Sequence, residues 1–147
     1  FTSYAMVDRL YKASNAGVKI QLIVRGICCL IPGVKGMSEN IEAISVIDKF
    51  LEHPRMFIFC NGGDTKVYIS SADFMTRNLE NRVEVGCPIY DAGIKQELLD
   101  TFEISWSDNV KARLFNEKQD NAYRKNKKEK VRSQFAMYDY YLKKLEE

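Results

Sequence analysis

Histidine is almost missing from this sequence. His53 is the only one in 147 residues, so no His-pair chemistry and no multi-histidine metal site can be completed within the chain. Cysteine is sparse too, and Cys28, Cys29, Cys60 and Cys87 contain no C-x-x-C pair, which leaves a zinc site or redox dithiol without support. Adjacent Cys28 and Cys29 would point to opposite faces of a strand, where a disulfide would need a distorted backbone. The expectation is four reduced, mostly buried thiols in a cytosolic protein. No apolar run approaches the ~20 residues that span a bilayer. No signal peptide is visible, although a fragment could have lost one. There is no G-x-x-x-x-G-K-[ST], so the chain is not a P-loop NTPase. The G-x-G-x-x-G, H-E-x-x-H, G-x-S-x-G and EF-hand patterns are missing as well. Charge of one sign is also lacking. The 22 basic and 20 acidic residues leave a net charge of +2, which excludes a strongly basic nucleic-acid module but not local basic patches. The chain opens at Phe1 without an initiator methionine, and the expectation is a piece of a longer polypeptide.

What is present reads as one globular domain with 46% apolar and 29% charged residues. Met6, Val7, Leu10 and Tyr11 predict a helix over residues 4–14, stopped at Asn15 to Gly17. Val18 to Val24 is β-branched and predicts a strand. A glycine-rich loop with Pro32, Gly33 and Gly36 follows, then a strand over 41–47 and a helical turn over 48–52. The continuous run Met56 to Cys60 predicts a central strand buried on both faces. Asn61-Gly62-Gly63-Asp64 predicts a hairpin turn, with Lys66 to Ser70 returning antiparallel. Residues 71–81 are polar and turn-rich, and 82–89 predict a strand broken by Gly86 and Pro88. Asp91 caps a helix to about Ser107, with Ile94, Leu98, Leu99 and Phe102 as its apolar stripe. The basic stretch 117–132 reads as a solvated linker. An amphipathic helix over 131–145 closes the chain through Phe135, Tyr138, Leu142 and Leu145. The expected fold class is α/β, a mixed β-sheet flanked by helices. The expected domain spans 1–115, with 116–147 a basic linker and closing helix packed on it.

Several residues are candidates for chemistry. His53 and Arg55 stand two apart at a strand start and so share a face. An imidazole beside a guanidinium suits a phosphate, which arginine binds through paired N–H donors. A capping histidine fits the same spacing. Arg25 follows a strand end, where α/β sheets bind ligands, and the glycines after it permit an anion nest. It could equally be a surface arginine. Ser70-Ser71-Ala72-Asp73 could touch phosphate or form a turn cap. Arg77 and Arg82 have no evident acidic partner, and their roles stay open.

Certain runs then align with a known family. Arg25-Gly26-Ile27-Cys28-Cys29-Leu30 with Pro32-Gly33 comes first, followed by Ser38-Glu39-Asn40-Ile41 and Phe50-Leu51-Glu52-His53. Asn61-Gly62-Gly63-Asp64, Tyr68-Ile69-Ser70-Ser71-Ala72-Asp73 and Arg77-Asn78-Leu79 come next. Arg132-Ser133-Gln134 through Tyr138-Asp139-Tyr140 closes the series. In this order they resemble the C-terminal part of bacterial polyphosphate kinase. The resemblance implies the last of four regions and a phospholipase-D-like half. It implies reversible transfer of the terminal phosphate of ATP to polyphosphate through a phosphohistidine upstream of this chain. His53 matches the family's second histidine, and Arg25 and His53 match positions that contact nucleotide phosphates. Arg82 matches a further basic position, and Arg55 can neutralise phosphate. The resemblance implies ATP as substrate and Mg with ligands outside this chain. It also implies upstream regions of the same polypeptide and a homo-oligomer as partners, no specific nucleic acid, and a cytoplasmic, at most peripherally membrane-associated, protein. His53-x-Arg55 replaces the His-x-Lys of the phospholipase D pattern, which argues against phosphodiesterase chemistry.

Two other readings stay open. One is a non-catalytic phosphate-anion or nucleic-acid binding module using the basic residues between Arg124 and Arg132. The other is an assembly surface on the closing helix.

Overall fold

The computed structural model describes residues 1–146. Helix α1 (Tyr4–Asn15) leads into strand β1 (Ile20–Ile23), and β2 (Ile41–Ser45) lies parallel to it. β3 (Met56–Phe59) and β4 (Lys66–Ser70) form a hairpin, followed by α2 (Thr76–Glu80) and the short β5 (Gly86–Pro88). α3 (Ala92–Trp106), β6 (Arg113–Phe115) and α4 (Ser133–Glu146) complete the chain. The α/β class holds, and the strands divide into two sheets. One is mixed, in the order β1-β2-β6, and the other antiparallel, in the order β3-β4-β5.

Two-residue periodicity lets β2 feed two cores. Ile41 packs with Val7 of α1 and Leu30, while Ile44 faces the other way against Trp106 of α3 and Ala112. The mixed sheet therefore lies between α1 and α3. Asp91 starts α3 as expected, its Oδ1 accepting the Ile94 N–H at 2.8 Å. The turn between β3 and β4 holds Asn61, Gly62 and Gly63 at φ 47°, 67° and 101°, conformations that glycine and asparagine tolerate. An aromatic chain runs from the antiparallel sheet to the N-terminus. Phe57 stacks on Phe74 at 4.9 Å, and Phe74 meets Phe1 at 5.2 Å.

Several expectations are corrected. β3 is an edge strand and β4 the central one, because β3 pairs only with β4 among the described strands. Residues 48–52 form no helical turn, since the Phe50 and Glu52 backbone groups bond to side chains from elsewhere. Of the strand expected over 82–89, only Gly86–Pro88 is paired. The polar 71–81 segment contains α2, and β6 lies in a stretch given no strand. Ile94 of the expected α3 stripe is exposed. The thiols are free, but Cys29, Cys60 and Cys87 are exposed and only Cys28 is half-buried.

The largest reversal concerns α4. Phe135, Tyr138, Leu142 and Leu145 face outward, and α4 meets α3 through Tyr140 to Asp100 and Tyr141 and Lys144 to Glu97. The preceding linker is less free than its composition suggests. Arg132 makes a two-pronged ion pair with buried Asp48, at 2.7 Å in both arms. Arg124 donates to the Trp106 carbonyl and lies over the Trp106 ring. No described helix is long and apolar enough to cross a membrane.

Candidate functional site

The site is assembled at the junction of the two sheets. β1 ends at Ile23, and Arg25 follows it, half-buried, with Nη1 donating to the Glu52 carbonyl at 2.6 Å. Glu52 precedes His53. The strand-end arginine and the histidine, 28 positions apart in sequence, are thus joined through one peptide group.

His53 is held by a pair the sequence reading did not anticipate. Its Nε2 is 2.9 Å from Asp73 Oδ1, and its Nδ1 is 3.3 Å from Arg55 Nη2. Arg55 Nε donates to the same Asp73 oxygen at 2.8 Å. Arginine cannot accept a hydrogen bond, so Nδ1 must present its lone pair to Arg55 and Nε2 must carry the proton given to Asp73. The geometry selects one tautomer of a neutral imidazole. The Arg55 guanidinium, with His53 beside it, holds the Asp73 carboxyl down at about 2, against partial burial that opposes ionisation. Asp73 in turn pushes the Arg55 pKa upward. The His53 side chain remains 47% exposed, against 27% for Arg55 and 25% for Asp73. A half-buried, pinned base supports a more open ring, which is what a group meeting an incoming anion requires.

A further layer lies behind this cluster. Ser71 Oγ and Asn78 Nδ2 both donate to Glu84, and these bonds lower the Glu84 pKa. Ser71 also accepts the Val85 N–H at 3.0 Å. Arg82 is exposed in this loop, and its charge acts on Glu84. Arg55 acts on Glu84 too, and Arg25, His53 and Arg55 are linked by hydrogen bonds, whereas no hydrogen bond among the described residues joins Arg82 to them. Arg77 sits exposed on α2 and joins none of these contacts. The Ser70-Ser71-Asp73 segment serves both the turn and the site. Ser70 Oγ accepts the Ala72 N–H at 3.0 Å, while Asp73 reaches across to the histidine.

Asp73 had a signal in the sequence. The Asn61–Asp64 hairpin sets a register in which Met56 faces Ile69, and the Ser70 N–H donates to the Arg55 carbonyl at 2.9 Å. Continuing that pairing brings the residues after Ser70 alongside His53.

The site is an open surface. Two surface hollows are lined around Phe59 and Tyr68, and around Cys28, Ser45 and Arg113. Neither is lined by Arg25, His53, Arg55 or Arg82.

Comparison with known proteins gives one consistent result. The model of the polyphosphate kinase C-terminal domain 2 matches residues 1–134. The polyphosphate kinase of Vibrio parahaemolyticus is 56% identical over 143 residues, 96% of this chain and 20% of that protein. That of Escherichia coli K12 is 52% identical over 143 residues, 97% of this chain and 21% of that protein. The crystal structure of polyphosphate kinase from Porphyromonas gingivalis superposes with a TM-score of 0.96 at 44% identity, covering 99% of this chain and 22% of that one. The chain therefore spans about a fifth of the length of the relatives it matches. Fold, family model and sequence identity agree that this chain belongs to the polyphosphate kinase C-terminal domain family.

Proposed function

We propose that this chain forms one wall of the nucleotide and phosphate site of a polyphosphate kinase. The complete enzyme reversibly transfers the terminal phosphate of ATP to polyphosphate through a histidine outside this chain. The observation that carries the reading is the joining of Arg25 and His53 through the Glu52 carbonyl, beside an Arg55–Asp73 pair that orients the ring.

In this mechanism the upstream histidine attacks the terminal phosphorus in line, and His53 faces it from the opposite wall. The charged oxygens of the transferring group displace Arg55 Nη2 from Nδ1 and take its N–H donors. Nδ1, taking up a proton from solvent as Arg55 leaves it, is then turned toward the phosphoryl group, where it gives that proton to the bridging oxygen or holds charge on it. Asp73 keeps the other nitrogen occupied throughout. Arg25 and Arg82 supply further charge-assisted bonds to phosphate oxygens, the positioning on which phosphoryl transfer depends.

The residues here do not fit a magnesium ion. Asp73 is taken by Arg55 and His53, and Glu84 by Ser71 and Asn78. No group of three or more candidate ligands occurs among the described residues. No step is routed through a metal in this half. The partners proposed are ATP or ADP, polyphosphate, the upstream regions of the same polypeptide and a second copy, with a cytoplasmic setting that supplies the nucleotide. The outward apolar face of α4 supports a protein partner.

The nucleic-acid reading loses support, because Arg124 and Arg132, the ends of its basic stretch, bond inward to Trp106 and Asp48. A titration separates the two. His53 is the single histidine, so its Cε1–H resonance is unambiguous in a spectrum of this chain. Polyphosphate and ATP are expected to shift it, and salt to weaken the effect. Single-stranded DNA of equal charge is expected to leave it in place. A resonance unmoved by polyphosphate would overturn the reading.

A further inference from the structure

The run Arg132-Ser133-Gln134 at the start of α4 reaches two distant parts of the fold, the segment 48–52 and Asp108. Arg132 grips Asp48, the Ser133 N–H donates to buried Asp108 at 2.7 Å, and Gln134 reaches back to residues 50–52. Gln134 is only 6% exposed. Its Oε1 accepts the Phe50 N–H at 2.9 Å, and its Nε2 donates to the Phe50 carbonyl at 2.8 Å and to Glu52 Oε2 at 3.0 Å. The amide thus pairs with the backbone as a neighbouring strand would.

Residues 50–52 themselves have little else to fix them, while Arg132 anchors Asp48 just upstream. Phe50 and Leu51 are exposed, and residues 50–52 belong to no helix or strand. The other tie is Arg25, which donates to the Glu52 carbonyl. The next residue is His53. Gln134 is not needed to start its own helix either, because Arg132 accepts the Phe135 and Ala136 N–H groups and Asp108 accepts that of Ser133. All three hydrogen bonds of its side chain are spent on the approach to the histidine.

We propose that Gln134 is a positioning residue for His53, setting through Phe50 and Glu52 the place from which the ring meets phosphate. The proposal rests on the reading of His53 as a phosphate-site group. It gives the closing helix a role in transfer at a distance from the reacting atoms. A displacement of about 1 Å can cost about a hundredfold in rate.

The test uses Gln134→Met, which keeps volume and removes the three bonds, with Gln134→Glu as second variant. The latter keeps the acceptor for Phe50 but loses both donors and sets a carboxylate against Glu52. Ser133→Ala is the control, altering the same turn without touching residues 50–52. Ligand-free spectra of this chain come first. Either Gln134 variant is expected to shift the His53 Cε1–H resonance, and Ser133→Ala to leave it. In a complete polyphosphate kinase containing this chain, the Gln134 variants are expected to lower kcat about tenfold, with KM for ATP changed less than about threefold. Should Gln134→Met not fold, Gln134→Glu carries the same readings. An unmoved resonance, or an equal shift and equal loss of kcat in Ser133→Ala, would overturn the proposal. The ligand-free shift is independent of whether polyphosphate binds, so a failed titration of the wild-type chain would refute the functional reading separately.

Discussion

Replacing Asp73 by asparagine is the most informative change to the His53 cluster. The side chain keeps its shape, but its oxygen no longer carries the charge that holds Arg55 at 2.8 Å and His53 at 2.9 Å. The carboxyl sits at about 2 in the folded protein against an ordinary 3.8. A shift of that size corresponds to at most about 2.5 kcal/mol, and partial exposure reduces it to about 1–2 kcal/mol. The sign follows from the direction. A folded pKa below the unfolded one means that the unfolded chain takes up the proton first as pH falls. The contribution is therefore complete above about pH 5 and is lost as pH falls through about 2. Urea unfolding of wild type and Asp73→Asn at pH 7, 4, 3 and 2 measures it. The gap is expected to be about 1–2 kcal/mol at pH 7 and to shrink to less than about a quarter of that at pH 2. Other carboxylates titrate in both proteins and largely cancel from the difference. A gap below about 0.3 kcal/mol at pH 7, or one that persists undiminished at pH 2, would refute the claim that Asp73 is an ionised anchor. In a complete enzyme the same variant is expected to lower transfer about 10- to 1,000-fold, because the ring loses the partner that fixes its tautomer.

Arg25→Ala in a complete enzyme is expected to raise KM for ATP about tenfold, and an unchanged KM would count against phosphate binding by Arg25. Asp108 is fully buried and accepts N–H groups from Val110, Lys111, Ala112 and Ser133. Asp108→Asn turns an NH2 toward one of those donors and is expected to cost about 2–4 kcal/mol, read as a lower Tm. With a thiol reagent under native conditions, Cys29, Cys60 and Cys87 are expected to react promptly. Cys28, whose pKa burial raises, is expected to lag by about tenfold or more, and equal rates would contradict its burial.

Local patterns made much of this fold legible. α1 and its glycine stop, the hairpin at Asn61–Asp64 and the Asp91 cap of α3 each follow from neighbouring residues. What the sequence did not reveal depends on remote partners. The apolar run of β3 resembles that of a central strand, yet it closes against Phe74 rather than between two strands. α4 is amphipathic, but periodicity does not say which face turns inward. Tyr140, Tyr141 and Lys144 bond to carboxylates on α3, and that leaves Phe135 and Leu142 outside. His53, Arg25 and Arg82 enter as candidates through motif resemblance, and Asp73 follows from the hairpin register, whereas the use of Gln134 emerges only when residues far apart in sequence meet. Gln134 lies 84 positions from Phe50, beyond the reach of any helical or strand spacing.

The central claim is that His53 faces the transferring phosphate. Its most direct test is synthesis of polyphosphate from ATP by a complete enzyme with His53→Ala. Its unfolding temperature should be checked against wild type, since the replaced ring lies on the surface. A ring that faces the phosphate implies a loss of synthesis of about a thousandfold or more in a folded protein. Synthesis within about threefold of wild type would contradict it.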